Sequence, residues 1–390
     1  MEEKTVGIVS SPELPSTIAN AIKKQLKKDL SRYIADGRFQ WHVEMEVDLL
    51  AGATEKVAEV LEETERIKIR NGWDYAISLT DLPVYNGRCI VLADANVDTC
   101  TAQISLPAFG WLPTPNRVKI IMLHMIKELY FRHTTDFKAD DLAQKGIGPK
   151  EQSGFLNKLE KPFRFSAVRR IESSNQAEET AVRFIIVPKI NGLARILFGM
   201  TIANRPWTIL PSLKNVVAIA FATGAYGLIF PTLWKLSVSY EIYRFIGLTA
   251  TAVLGMVVWI IFSHDLWEKK NLENKNRLRW MYNSTTILTL GTSVVMYYIV
   301  LYLLFLIAVS VFVPPDLYQA EAGTDIGPLN YLKLAWLVTS VATFAGAIGA
   351  GLENPERVRK STYSYRQYSR YEEMKEKEKQ EDRKRKATDD

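Results

Sequence analysis

The sequence predicts an α+β/α protein, in which an N-terminal cytosolic α/β domain is followed by a four-helix transmembrane bundle. Three observations lead to this prediction. Strand and helix patterns alternate in the first half, four apolar stretches in the second half are long enough to cross a bilayer, and Lys and Arg collect on one side of those stretches. The chain of 390 residues leaves roughly 190 for one soluble domain with its own core.

The expected soluble domain covers residues 1–189. Alternating apolar residues predict strands, and apolar residues at helical spacing predict the helices between them. The predicted strands cover residues 5–9, 41–47, 75–78, 89–93, 101–106 and 181–187, and the predicted helices cover residues 16–33, 54–71 and 117–131. This order indicates an α/β domain.

Four apolar stretches cover residues 213–234, 242–262, 284–313 and 331–351. Each supplies the roughly 20 residues that a membrane-spanning helix needs. The loop over residues 235–241 is so short that the first two helices are expected to form an antiparallel hairpin. The third stretch is longer than a bilayer requires, so we expect it to tilt or to extend past the membrane. Together the stretches predict a transmembrane domain over residues 207–352.

Basic residues determine the expected orientation, because cytoplasmic loops retain Lys and Arg. The loop over residues 314–330 contains Asp316, Glu321 and Asp325 but no Lys or Arg, whereas the segments that follow the second and fourth stretches are basic. We therefore expect both termini in the cytoplasm and the protein in a bacterial plasma membrane. The N-terminal segment fits this orientation because it lacks a basic n-region and a long apolar core. The charged tail over residues 353–390 is expected to be solvated.

The middle of each apolar stretch carries no Asp, Glu, Lys, Arg or His, which argues against an ion-coupled transporter. Hydroxyl groups collect instead at the start of the third stretch. One interpretation is that they hydrogen-bond to carbonyls of their own helix or of a neighbouring helix. The other is that they line a polar pore of a small channel. The residues concerned are Thr285, Thr289, Thr292 and Ser293.

Small residues repeat every four positions in the fourth stretch. This spacing lets helix backbones approach closely, either within one chain or between subunits, and it predicts helix packing with self-association as an extension. The residues are Ala342, Ala345, Gly346, Gly349 and Ala350. Residues 190–206, which precede the first stretch, have apolar residues at helical spacing and basic flanks, so we expect an interfacial helix there.

Aspartates near strand ends are the candidate functional carboxylates of the soluble domain. Asp81 ends a predicted strand, and Asp94 and Asp98 flank a nearby turn. Carboxylates in such positions bind metals or act as bases, but aspartates in turns also have a structural role, and both interpretations stay open. The segment 11–16, Ser-Pro-Glu-Leu-Pro-Ser, lacks the glycines of a phosphate-binding loop and indicates a capped helix start instead.

The order of strands and helices, together with the helix that carries His124, resembles the N-terminal part of archaemetzincin-type zinc metallopeptidases. That family has His-Glu-x-x-His on this helix, with two metal-binding histidines and a glutamate that activates water. Only His124 matches. Met125 replaces the general base, Glu128 stands at the position of the second histidine, and His133 lies half a helical circumference away. The resemblance therefore implies either a membrane-tethered metallohydrolase with a degenerate site or a related fold without metal.

Along most of its length the chain is similar to an uncharacterised family of Gram-positive bacterial multi-pass membrane proteins. Four segments carry this resemblance, namely residues 80–83 (TDLP), 104–110 (ISLPAFG), 199–207 (GMTIANRPW) and 282–286 (YNSTT). The resemblance implies the membrane architecture and no particular activity.

Two cysteines, Cys89 and Cys100, are too few for a disulfide framework and are expected to be reduced. The net charge is +6, and the excess Lys and Arg residues lie beside the apolar stretches. We therefore expect the lipid bilayer, and no nucleic acid, as the partner. The sequence predicts no cofactor and no metal. The leading interpretation is a non-enzymatic, homo-oligomeric membrane protein with a cytosolic sensing or recruiting domain, and an unidentified protein partner is a further alternative.

Overall fold

The computed structural model describes residues 2–34, 39–49, 57–86, 89–111, 113–134, 168–172, 182–186, 190–268 and 276–351. The chain divides into two compact units, one that ends at Ala203 and one that begins at Asn204. The predicted tail over residues 353–390 lies outside the described residues.

The first unit is a mixed α/β domain. Its described strands are β1 (Glu2–Ser10), β2 (Phe39–Val47), β3 (Tyr75–Thr80), β4 (Val84–Asn86), β5 (Cys89–Asn96), β6 (Thr101–Ser105), β7 (Val168–Glu172) and β8 (Val182–Ile186). Its described helices are α1 (Leu14–Tyr33), α2 (Val57–Asn71), α3 (Pro115–Thr134) and α4 (Ile190–Ala203), and a 3-10 turn, Leu106–Phe109, follows β6.

These strands form one sheet in the order β2-β1-β3-β6-β5-β8-β7, with β4 paired to β5. Strands β2, β1, β3 and β6 are parallel, whereas β5, β8 and β7 continue the sheet in antiparallel pairs. Parallel neighbours need crossover connections, and α1 and α2 follow β1 and β2 as such connections. The alternating order that the sequence predicts is therefore confirmed.

Predicted and observed elements differ mainly at their ends. Strand β3 extends to Thr80 and β5 to Asn96, beyond the predicted ends at residues 78 and 93. Helix α3 covers Pro115–Thr134 and so includes the predicted span of residues 117–131. Strands β4 and β7 were not predicted. Residues 181 and 187, the ends of the last predicted strand, lie outside the described residues.

Helix α4 occupies most of the predicted interfacial segment but ends at Ala203, three residues before the predicted end. It packs on the 3-10 turn, Leu106–Phe109, at Gly199. A Cβ atom at Gly199 would lie 2.1 Å from the carbonyl oxygen of Pro107, so only glycine fits this contact. Ile196 and Met200 on the same helix are fully buried. The predicted location of this segment in the membrane interface stays a prediction.

The second unit is helical. Its described helices are α5 (Lys214–Gly227), α6 (Pro231–Ser239), α7 (Ile242–Ser263), α8 (Asn276–Phe312), α9 (Pro315–Ala322) and α10 (Pro328–Ala350). Three helical stretches, Ile242–Ser263, Arg279–Phe312 and Pro328–Ala350, are long and apolar enough to cross a membrane. A fourth span exists only if the broken pair Gly192–Thr208 and Leu210–Gly227 is counted as one. These helices indicate a membrane protein, whereas its orientation and the particular membrane stay predictions.

The predicted first span over residues 213–234 is wrong as a continuous helix. The helix stops at Gly227 and restarts at Pro231 as α6, which runs to Ser239 and replaces most of the loop predicted over residues 235–241. The cause is Pro231, because the residue before a proline avoids the helical conformation, and Phe230 is extended with ψ 115°. The Trp234 indole N–H donates to the carbonyl oxygen of Leu228 at 3.0 Å and so stabilises the break.

Candidate functional site: the polar face of the sheet

The two faces of the sheet differ in chemistry. Residues paired directly across strands point to the same face. Along one row, Leu79 pairs with Ile104, Ile104 with Ala93, and Ala93 with Phe184. All four are buried, and Phe184 contacts the ring of His124 on α3 at a centroid distance of 5.6 Å. We call this side, which α3 covers, the apolar face.

The row one residue away lies on the opposite side. Ser78 pairs with Gln103, Gln103 with Asp94, and Asp94 with Arg183. Alternation along the strands adds further polar residues to this side, and we call it the polar face. Its described buried polar members are Ser78, Thr80, Asp94, Asn96, Thr101, Gln103 and Ser105, each at most 5% exposed.

Helix α2 covers part of the polar face. Ile67 of α2 packs with Val9, Trp73 and Ala76 in one buried cluster. Val9 pairs with Ser78, and Ala76 lies two residues before Ser78 on β3, so this cluster shares the face of Ser78. The polar side chains are therefore enclosed by the protein and do not form an outer surface.

Most polar members have partners nearby. The Ser105 hydroxyl donates to the carbonyl oxygen of Leu82 at 2.7 Å, and the Thr80 hydroxyl accepts from the Leu82 N–H at 3.1 Å. Asn96 accepts from two backbone N–H groups of the turn between β5 and β6, at 3.0 and 3.3 Å. These side chains hold the strand ends and turns in place, which is the usual role of short polar residues there.

Asp94 and Arg183 form a buried ion pair. Arg183 Nε donates to Asp94 Oδ2 at 2.8 Å, and the Asp94 side chain is fully buried while that of Arg183 is 15% exposed. The prediction placed Asp94 beside a turn, but the structure places it within β5, where its carboxylate accepts a hydrogen bond from Arg183 on the neighbouring strand β8. Its charge is thereby neutralised within the polar face.

Gln103 and Ser78 have the least satisfied side chains of the polar face. Both side chains are fully buried. Within the part of the chain that the structure describes, neither the amide nitrogen nor the amide oxygen of Gln103 has a hydrogen-bond partner, and neither has the hydroxyl of Ser78. Buried polar groups are bonded in more than about nine cases in ten, so two exceptions in directly paired positions need an explanation.

Asp81, the carboxylate that the sequence singled out, lies just beyond the end of β3 and is 1% exposed. The Ser11 hydroxyl donates to Asp81 Oδ1 at 3.0 Å and accepts from the Asp81 N–H at 3.3 Å. Ser11 follows β1, so the pair joins the carboxyl ends of two neighbouring parallel strands. Ligands of open α/β sheets bind outside such ends. The segment over residues 11–16 leads into α1, which begins at Leu14, as predicted.

The polar residues of the helix that resembles the metallopeptidase helix contact one another. His124 Nε2 lies 3.6 Å from Glu128 Oε1, and Arg132 Nε donates to Glu128 Oε2 at 3.0 Å. Glu128 is fully buried and Met125 packs in the core. His133 is exposed near the end of α3. No group of three or more His, Cys, Asp or Glu residues that could hold a metal exists among the described residues.

Cys100 is buried at the turn before β6, where its thiol donates weakly to the carbonyl oxygen of Val97 at 3.5 Å. Burial raises the pKa of the Cys100 thiol, which keeps it in the unreactive thiol form. Asp98, the third aspartate that the sequence singled out, accompanies it in this turn, and its N–H donates to Asn96 Oδ1 at 3.0 Å. The side chain of Cys89 lies outside the described residues.

The hydroxyl residues of α8, which the sequence offered as a pore lining or a contact face, do not share one environment. Thr285, Thr289 and Ser293 are buried, whereas Thr292 is exposed and donates to the carbonyl oxygen of Leu288. Thr289 accepts from Asn204 Nδ2 at 2.9 Å, and Ser293 donates to the carbonyl oxygen of Pro206 at 2.9 Å. These contacts fasten the segment before α5 to α8.

The small residues of α10 mainly serve packing within the chain. A Cβ atom at Gly346 would lie 3.2 Å from the Cβ of Ala220, and one at Gly224 would lie 2.9 Å from the Cβ of Ala342. Gly349 likewise approaches Ile219. The α10 face is therefore matched by a second small-residue spacing on α5. Ala350 is buried, and Ala345 is half-buried.

A polar network inside the bundle joins three helices. The Trp336 indole donates to the Thr249 hydroxyl at 2.7 Å, and the hydroxyls of Tyr298 and Ser340 lie 2.7 Å apart. Thr249 and Tyr298 lie 3.2 Å apart. Its members are far apart in the chain, so no local sequence pattern predicts this network.

The polar face was also missed, although its signal is present in the sequence. Residues 75–80 (YAISLT) and 101–105 (TAQIS) each alternate between apolar and small or polar residues. The small or polar residues are at positions 76, 78 and 80 of the first segment and at positions 101, 103 and 105 of the second. Two alternating strands with one polar face indicate a buried polar layer only once both faces are known to be covered. The sequence alone does not show that helices cover both faces of the sheet.

No protein-family profile and no curated protein sequence matches this chain. A solved structure with partial similarity is the crystal structure of archaemetzincin from Methanopyrus kandleri. The identity is 14%, the TM-score is 0.25, and the alignment covers 33% of this chain and 73% of that chain. A similarity of this size carries no information about activity. The resemblance to Gram-positive membrane proteins stays a prediction.

Proposed function

We propose that this protein is a non-enzymatic integral membrane protein whose N-terminal α/β domain binds a polar ligand at the polar face of its sheet, and whose helices anchor that domain in the membrane. The observation that carries this proposal is the pair Ser78 and Gln103, two fully buried neighbours whose side-chain polar atoms lack partners among the described residues. A ligand that supplies those partners would explain why the positions are polar.

The energetic cost of these side chains supports a binding role. A buried polar group without a hydrogen bond costs about 1–3 kcal/mol, so an apolar residue at either position would favour folding. Proteins retain such costs mainly at functional sites. The polar residues are also concentrated on one face of the central strands, whereas the opposite face has the apolar composition of an ordinary core.

The arrangement of α3 favours binding over metal-dependent hydrolysis. The carboxylate at the position of the second metal-binding histidine, Glu128, is held by Arg132 at 3.0 Å. The position of the general base is occupied by Met125, a buried side chain that cannot accept a proton. The proposal therefore assigns no reaction to this helix.

The test is a thermal-stability screen of the full-length protein in nanodiscs against a chemically diverse set of small polar molecules. Compounds that bind the polar face should raise the unfolding temperature of the wild type and fail to do so in Gln103→Leu. Gln40→Leu is the matched control, because Gln40 is an exposed glutamine on β2. A screen in which no compound stabilises the protein, or in which Gln103→Leu responds as the wild type does, would contradict the proposal.

A further inference from the structure

We infer that the ligand of the polar face is a neutral molecule that presents an amide edge, meaning a carbonyl acceptor beside an N–H donor, and that Gln103 reads this edge. This inference rests on the function proposed above and specifies its ligand class. Free carboxamides and nucleobases share this chemistry.

The hydrogen-bonding capacity of Gln103 determines the edge. A glutamine side chain offers one carbonyl acceptor and two N–H donors in one plane. Both ends of the Gln103 amide are fully buried and without a partner among the described residues. A ligand with only acceptors, such as a carboxylate, would leave the Gln103 oxygen unsatisfied. A ligand with adjacent donor and acceptor satisfies both ends, as glutamine does with the edge of adenine.

The charges of the polar face indicate that the ligand is neutral. The ionic groups in the Ser78–Arg183 row are Asp94 and Arg183, and they neutralise each other at 2.8 Å. A charged ligand would enter this enclosed layer without a counter-ion and would lose its hydration, which is far more costly than the transfer of a neutral amide. Strong binding of an anion or a cation is therefore not expected.

The neighbouring Ser78 sets the size of the recognised group. Ser78 and Gln103 are direct partners on parallel strands, so their backbones are about 4.8 Å apart. One small planar group can reach both side chains. The Ser78 hydroxyl donates and accepts, so it supplies a third hydrogen bond to either atom of the amide edge.

Two matched pairs of probes test this ligand class with the full-length protein in nanodiscs. Nicotinamide is compared with nicotinate, in which a carboxylate replaces the carboxamide, and uracil is compared with N,N′-dimethyluracil, in which both donors are blocked. We expect at least one amide probe to bind, measured by calorimetry, and its partner to bind at least about tenfold more weakly. Binding should be lost in Gln103→Leu and weakened in Ser78→Ala, whose smaller change guards against a folding defect.

The results separate this inference from the proposed function. Equal affinity for both members of each pair, or no binding by either amide probe at millimolar concentration, overturns the inference. Charged compounds that bind the wild type and not Gln103→Leu also overturn it but leave ligand binding at the polar face intact. If no compound of any class depends on Gln103, and ordered waters alone occupy the site in an experimental structure, both are overturned.

Discussion

The apolar and polar faces belong to the same strands and are equally buried, but they differ in what they contribute to stability. On β3, Ile77 and Leu79 point to one side and Ser78 and Thr80 to the other, and all four are fully buried. The hydrophobic effect stabilises the first side, whereas the second side buries polar atoms that water would otherwise solvate. The difference shows that burial alone does not identify the core of this domain.

The largest expected effect is on the apolar face. Ile104→Ala removes a fully buried side chain that pairs with Leu79 and Ala93, and should lower the free energy of unfolding by about 3 kcal/mol. The measurement is unfolding of the full-length protein in detergent, followed by tryptophan fluorescence. A loss of stability no greater than that of a surface substitution such as Gln40→Ala would show that this face is not the core.

The ion pair of the polar face should give the next largest effect. Arg183→Met removes the guanidinium that donates to the buried Asp94 carboxylate at 2.8 Å, and should lower the free energy of unfolding by about 2 kcal/mol. Adding Asp94→Asn removes the buried negative charge and should restore part of the stability. If the double variant is as unstable as the sum of the two single variants, the residues do not interact in the way that the geometry indicates.

Two serines provide a direct comparison of satisfied and unsatisfied polar groups. Ser105→Ala removes a hydroxyl bonded to the carbonyl oxygen of Leu82 and should cost about 1 kcal/mol. Ser78→Ala removes a hydroxyl without a described partner and should leave the stability unchanged or raise it slightly. Both serines are fully buried, so size and burial are matched. The reverse order of the two effects would mean that Ser78 is already satisfied in the free protein.

The smallest expected effect concerns the pH dependence at Cys100. Burial raises the pKa of this thiol in the folded state, so the folded protein binds the proton more tightly than the unfolded chain. Stability from this group is fully present below the unfolded pKa and is lost as pH rises toward the folded pKa. Cys100→Ala should therefore make the decline of the unfolding temperature at alkaline pH slightly less steep. An unchanged alkaline decline would exclude the thiol as its cause.

Much of the domain could be predicted because local patterns determine it. The alternation in residues 75–80 and the helical spacing in residues 16–33 are visible without any knowledge of the fold, and β3 and α1 lie where these patterns place them. The polar face was harder to predict from the sequence. Asp81 stands out in the sequence as a carboxylate at a strand end. The pairing of Ser78 with Gln103 depends instead on β6 lying beside β3, and the 20 residues between the end of β3 and the start of β6 include β4 and β5.

For the first membrane stretch the prediction was wrong for a local reason. Its hydropathy predicted one continuous helix, but hydropathy averages over a window and does not register a single residue without an N–H group. Pro231 interrupts the helix even though its neighbours are apolar. The pairing of Gly224 with Ala342 explains why small residues recur on both helices, and only the spatial neighbourhood of α5 and α10 could reveal it.

The length of α8 has a mechanical consequence. At 37 residues it measures about 55 Å, whereas α7 with 22 and α10 with 23 residues measure about 35 Å. Asn283 of α8 accepts from the Glu268 N–H just after the end of α7, and Tyr331 near the start of α10 donates to the carbonyl oxygen of Val313 just after the end of α8. About half of the surplus length lies before Asn283, where residues 276–282 form about two turns of α8. Because α8 is one continuous helix, a displacement of this N-terminal part would be passed along its backbone hydrogen bonds toward Thr289 and Tyr298.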